Sequence, residues 1–227
     1  MMRLITLAFL IVLMVPGSVF ANANTGAVAA TEGDTPHTAR IVVIGDSISA
    51  AYGLALDDGW VQLLADELAA QGTPADIVNA SISGDTTDGG LQRLPALLER
   101  HQPHLLILEL GGNDGLRGQS LKQMRKNLTD MVTLAQNQGS RVLILGMRIP
   151  SNYGETYTNR FFNSFQSVAD DTGAAIVPFL LEPIATSRDY FQPDGVHPTL
   201  AAQPLLMQIV LPAVQELLAD MANLKTE

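Results

Sequence analysis

The chain contains no cysteine. That absence excludes disulfides, cysteine-based zinc sites, a lipid-modified cysteine anchor and a thiol nucleophile. If the protein hydrolyses a substrate without a metal, the attacking group is a hydroxyl, a carboxylate or an activated water. Positive charge is also scarce: 13 Lys and Arg stand against 23 Asp and Glu, a formal net charge of −10. A nucleic-acid binder would carry a basic patch, and an electrostatic anchor to anionic lipid would need the same, so the composition disfavours both. Internal repeats and low-complexity segments are missing. What remains, 227 residues with 47% hydrophobic and 16% charged, fits one globular domain with a substantial core.

The N-terminus is built differently from the rest. Arg3 precedes an apolar stretch from Leu4 to Val15, broken by Pro16 and Gly17, with small residues at Val19, Ala21 and Ala23. A charged start, a short apolar region and an A-x-A-like site are the layout of a secretory signal peptide. The apolar stretch is too short to span a bilayer comfortably. The expectation is a signal peptide over 1–21, cleaved after Ala21 or Ala23, then a leader over 22–38 and a folded domain over 39–227. A periplasmic or secreted location follows, with no stable membrane anchor.

From Arg40 onward, short apolar runs alternate with helix-like stretches. Strands are expected at 40–45, 75–80, 104–110, 141–147 and 174–179; each is nearly continuous in apolar residues, as a strand buried on both faces requires. Helices are expected near 59–71, 86–101, 120–138, 156–172 and 200–220, with Pro95 kinking the second or starting its regular part. This alternation predicts an α/β fold with a five-stranded parallel sheet, for which a flavodoxin-like order is expected in preference to a split Rossmann sheet. Ligands in such folds bind at the carboxyl ends of the strands. The segments that follow the strands are "GDSIS", "SISGDTT", "GGNDG", "RIPSNYG" and a longer loop ending in "QPDGVHP". They hold nearly every glycine-polar cluster in the chain, and one site would account for them.

In "DGVHP", Asp194 precedes His197 by three residues, close enough for the carboxylate to fix the imidazole tautomer while the other nitrogen takes a proton from a hydroxyl. Ser47, directly after the first strand, is either a helix N-cap or that hydroxyl. Gly84 could present a backbone amide to a developing oxyanion, and Asn113 a side-chain NH2; the alternatives are a turn glycine and an asparagine closing its own loop. Asp46 is expected to hold the Ser47 loop through hydrogen bonds, and Asp85 and Asp88 to serve as turn or cap residues. No G-x-S-x-G is present, so the nucleophile elbow of the α/β-hydrolases is absent.

"GDSIS", "SGDTT", "GGND" and "DGVHP", in that order and spacing, resemble the four blocks of the SGNH (GDSL-type) hydrolases. The stretch "NASISGDTTDGGLQRLPALLERHQPHLLILELGGNDGLRG" resembles the bacterial thioesterase I, lysophospholipase and arylesterase branch. The resemblance covers essentially all of 40–215. It implies a three-layer α/β/α sandwich with Ser47 as nucleophile and Asp194 and His197 as its partners. The Ser47 N–H, the Gly84 N–H and the Asn113 side chain would form the oxyanion hole. The loop after "GGND" and the stretch "IPSNYG" would line the acyl site, placing Gly115, Leu116, Ile149, Pro150 and Tyr153 against substrate. No cofactor and no metal are implied, and a monomer is the default. The partners would be small acyl esters or thioesters: lysophospholipids, aryl esters and fatty acyl thioesters. Rival readings are a carbohydrate acetylesterase on the same fold and a catalytically silent binding protein. A phosphoryl-acceptor or metal-binding module at Asp46 would want a lysine after the last strand, and 179–197 contains none.

Overall fold

The computed structural model describes residues 38–223. The expected signal peptide and all but the last residue of the expected leader lie outside the described residues. The apolar runs form β1 (Ala39–Gly45), β2 (Ala75–Asn79), β3 (Leu105–Glu109), β4 (Arg141–Leu145) and β5 (Ala175–Val177). The last is shorter than the run that encodes it because Pro178 has no N–H to continue the ladder. All four pairings are parallel and the order is β2-β1-β3-β4-β5, the flavodoxin-like arrangement.

Alternate residues of the central strands feed two separate cores. Ile41, Val43, Leu105, Ile107, Leu143 and Leu145 pack with α1 (Trp60–Ala70) and α6 (Gln203–Asn223) on one side of the sheet. Val42, Ile44, Leu106, Leu108, Val142 and Ile144 pack on the other side with α2 (Thr87–His101), α4 (Leu121–Asn137) and α5 (Glu155–Thr172). This period-two division of strand side chains makes the three-layer sandwich. A short helix, α3 (Gly112–Leu116), was not expected and forms within "GGNDG".

Two other local expectations are corrected. The helix α2 runs from Thr87, well before Pro95, with Thr86 as its cap: the Thr86 hydroxyl accepts from the Gly89 N–H. Pro95 sits on the exposed face, where water can satisfy the carbonyl it leaves unbonded. Ser47 caps no regular helix. Residues 47–53 form consecutive turns, tied by Ala50 N–H to Asp46 O and Tyr52 N–H to Ser47 O, and α1 starts only after Gly59. Within these turns Ala51 has φ 54°, a left-handed conformation that costs a non-glycine residue energy and persists only where the surroundings impose it.

Candidate active site

The chain reverses its winding direction between β1 and β3, so the loops after them flank a crevice at the sheet's carboxyl edge. Ser47 follows β1 there and Asn113 follows β3. The loop after β5 closes over them. Gln192 N–H donates to His197 O, Thr199 N–H to Tyr190 O and Gly195 N–H to Gln192 O, with Gly195 at φ 70°. This tight loop projects His197 back toward β1. The Gln192 side chain, which the sequence did not single out, donates to both Tyr52 O and Pro198 O and so joins the Ser47 turns to the His197 loop.

The result is a continuous chain of hydrogen bonds. His197 Nε2 lies 2.9 Å from Ser47 Oγ, and His197 Nδ1 lies 2.7 Å from Asp194 Oδ2. The other Asp194 oxygen accepts from the backbone N–H groups of Val196 and His197. Hydrogen bonding to the imidazole, then to these two amides, lowers the Asp194 carboxyl from 3.8 to about 2, so it is ionised at neutral pH. The Tyr52 ring lies against the imidazole with centroids 4.3 Å apart. The arrangement can remove a proton from Ser47 and hold it on His197 beside a fixed negative charge.

The donors expected to receive an oxyanion are left without protein acceptors. Among the described residues neither the Ser47 N–H nor the Gly84 N–H donates to a protein acceptor. Gly84 has φ 81°, a conformation open to glycine at no steric cost. The Asn113 Nδ2 donates one hydrogen to Asp46 Oδ2 at 3.2 Å and keeps the second free.

Beneath the serine lies a buried acidic pair. Asp46 accepts from Ile48 N–H through Oδ1 as well as from Asn113, the loop-holding role expected of it. Glu109, which the sequence reading passed over as one more strand residue, is fully buried at the end of β3. Its Oε2 accepts from Asp46 N–H at 3.1 Å and Ser49 Oγ at 2.7 Å, while Oε1 has no protein partner. Burial raises the Asp46 carboxyl from 3.8 to about 6 against the lowering effect of the Ile48 N–H. Burial and then the neighbouring Asp46 charge push Glu109 well above the ordinary carboxylate range. Asp114 is buried too, accepting from Thr87 N–H and the Thr87 hydroxyl, and so fastens α3 to the start of α2. Asp85 pairs with Arg93 at 2.8 Å.

A cleft of about 440 Å³ opens beside Ser47 and His197, walled by apolar side chains including Leu116, Ile149, Pro150, Phe179 and Phe191. Three of the five residues expected against substrate are therefore in its wall. Gly115 and Tyr153 are not. A Cβ on Gly115 would come within 2.5 Å of Phe161, so Gly115 is the contact point of α3 on α5, with its carbonyl accepting from Tyr157 Oη. Tyr153 lines the neighbouring groove between α4 and α5, where its hydroxyl donates to Leu116 O at 2.9 Å. It supports the cleft wall from behind. Among the described residues no cluster of three or more His, Asp or Glu could hold a metal ion.

Known proteins share this frame. Esterase TesA of Pseudomonas aeruginosa is 49% identical over 178 residues, 78% of this chain and 89% of its own. The thioesterase 1/protease 1/lysophospholipase L1 of Escherichia coli is 36% identical over 177 residues, covering 78% and 84%. The crystal structure of the psychrotrophic esterase EstA from a Pseudoalteromonas species, inhibited by monoethylphosphonate, superimposes with TM-score 0.76 at 40% identity, covering 79% of this chain and 98% of that one. The family described as GDSL-like Lipase/Acylhydrolase matches residues 43–203. That span holds Ser47, Gly84, Asn113, Asp194 and His197 together, and the chain belongs to the GDSL-like lipase/acylhydrolase family.

Proposed function

We propose that this ester and thioester hydrolase works through an acyl-enzyme formed on Ser47. His197 Nε2 takes the hydroxyl proton as Oγ attacks the acyl carbonyl, and Asp194 keeps the imidazole in the required tautomer and stabilises its charged form. The Ser47 N–H, the Gly84 N–H and the free hydrogen of Asn113 Nδ2 receive the negative oxygen of the tetrahedral intermediate. His197 then passes its proton to the departing alcohol or thiol. In the second half water attacks the acyl-serine, gives its proton to His197, and releases the acid with the Ser47 hydroxyl restored.

The observation that carries this reading is the unbroken Ser47–His197–Asp194 hydrogen-bond chain at the mouth of an apolar cleft. The apolar wall favours an acyl chain over a sugar, and hence lysophospholipids, aryl esters and fatty acyl thioesters over acetylated carbohydrate. The relatives named as esterase, thioesterase and lysophospholipase support the same substrate classes. Export is part of the proposal: residues 1–21 act as a signal peptide, removed after Ala21 or Ala23, and the domain from residue 39 works as a monomer in the periplasm. Fatty acyl-CoA, a cytoplasmic pool, is then a less suitable natural substrate than envelope lysophospholipids.

The test is hydrolysis of p-nitrophenyl esters from acetate to palmitate in the presence of EDTA, by the wild-type protein and Ser47→Ala. Turnover should survive EDTA and fall on the order of 10⁴-fold or more in the variant. Full activity of Ser47→Ala would refute the assignment. An alkyl phosphonate should add once to the wild type at Ser47, seen by mass spectrometry, and leave the variant unmodified.

A further inference from the structure

The two outer donors of the proposed oxyanion hole stand on different loops: Gly84 after β2 and Asn113 after β3. One side chain reaches both. Arg117 Nη2 donates to Gly84 O at 3.1 Å and lies 3.5 Å from Asn113 Oδ1. Among the described residues, its chain neighbours aside, it is also the one group within 4 Å of where a Cβ on Gly84 would stand, at 3.7 Å. We propose that Arg117 is a positioning residue that ties these two loops together and fixes which way the Asn113 amide faces; the proposal rests on the oxyanion-hole reading above.

The chemistry of the partners gives the argument its direction. An asparagine side chain has a donor end and an acceptor end that differ little in shape and exchange places by rotation about χ2. At Asn113 the Nδ2 end meets Asp46, whose ionised carboxylate only accepts, and the Oδ1 end meets a guanidinium, which only donates. Turning the amide over would set its NH2 against Arg117 and its carbonyl oxygen against Asp46, two repulsive contacts at once. Both ends are thus specified, and the second hydrogen of Nδ2 is left without a protein acceptor among the described residues. Without Arg117 the carbonyl end loses its partner. The Gly84 carbonyl, on a loop that glycine makes pliant, loses its link to α3. Both donors would then sample positions away from the developing oxyanion, and a displacement near 1 Å is enough to cost roughly 10²-fold in rate. Both contacts are made by the one Nη2 atom, each through one of its two hydrogens.

Arg117 is exposed, which allows a decisive experiment. Arg117→Met, which keeps the aliphatic stem, and Arg117→Ala are compared with the wild type on p-nitrophenyl butyrate, a neutral ester, and on an ester of similar length bearing a carboxylate in its leaving group. Expected are melting temperatures equal to wild type, a kcat lower by about 10- to 100-fold on both esters, and KM changed less than about twofold, the signature of an interaction made only in the transition state. Ethylguanidinium added to Arg117→Ala should restore part of kcat. A purely structural arginine would show no such rescue. Three results would overturn the proposal: unchanged kcat, a loss confined to KM or to the anionic ester (a substrate-charge contact), or a kcat loss that guanidinium does not relieve. Ser47→Ala, assayed alongside, separates the two levels. Turnover in that variant removes the oxyanion-hole reading itself, whereas a dead Ser47→Ala with a normal Arg117→Met removes only the role of Arg117.

Discussion

Replacing Asp46 with asparagine should remove a loss of stability that grows with pH and should lower activity, and the size of the first effect follows from burial. The Asp46 carboxyl is raised from 3.8 to about 6, so the native state holds its proton more tightly than the unfolded chain does. Between those pH values the folded protein binds more protons, and stability therefore falls as pH rises through the window. At about 1.4 kcal/mol for each pH unit of displacement, the ionised carboxylate costs the fold about 3 kcal/mol at neutral pH. The amide that replaces it in Asp46→Asn carries no such charge. It instead presents one acceptor and one donor to two donors, Ile48 N–H and Asn113 Nδ2. If its oxygen keeps the Ile48 N–H, its NH2 faces that of Asn113 and turns the Asn113 amide away, at a cost of about 1–3 kcal/mol that does not vary with pH. The assay is urea unfolding of both proteins from pH 4 to pH 7. The wild type should lose about 2 kcal/mol relative to Asp46→Asn across that range, while kcat of the variant at pH 7 falls by roughly 10²-fold. A stability difference that stays flat with pH would refute the buried-charge account. An unchanged kcat would refute the link from Asp46 to Asn113.

Removing the Asn113 side chain should lower kcat for p-nitrophenyl esters by about 10²–10³-fold with little change in KM; a change in KM alone would contradict an oxyanion donor. Gly115→Ala should destabilise the fold without touching the cleft, because its Cβ would lie 2.5 Å from Phe161 Cε2 and 2.8 Å from Cδ2. Phe161 is itself fully buried and edge-on to Phe165, so it has little room to yield. Overpacking of this kind costs about 1–3 kcal/mol, or about 2–12 °C in melting temperature for a domain of this size, read by calorimetry. A melting temperature equal to wild type would mean that α3 is free to move away from α5.

How much of this was legible in the sequence depends on whether a feature is set by periodicity or by the meeting of distant side chains. The sheet was legible because a strand covered on both faces must be apolar throughout, and five such runs stood out; alternation with helices made it parallel, while its order came from the structure. The strand-end loops were legible because glycine next to Asp, Ser or Asn marks backbone turns wherever it occurs. The boundaries at Pro95 and Pro178 were not, because a proline's effect depends on whether its position faces water or a neighbouring strand. Glu109 and Arg117 were missed for another reason. In "LILEL" the glutamate reads as an interruption of a strand, and in "GLRG" the arginine reads as ordinary loop polarity. Only the parallel register that sets Gly45 beside Glu109 brings that carboxyl under the serine, and only the loop after β2 gives Arg117 a carbonyl to hold. Gly115 shows the converse. It stands beside functional residues in the motif, yet its missing side chain serves helix packing, since α3 could not otherwise approach Phe161. The site's polar groups thus form one connected path: Ser49 to Glu109, Glu109 to the Asp46 amide, Asp46 to Asn113, and Asn113 through Arg117 to Gly84. All but the Asn113–Arg117 link join residues from separate loops or strand ends, so a short motif read alone shows the ends of those links and not the links themselves.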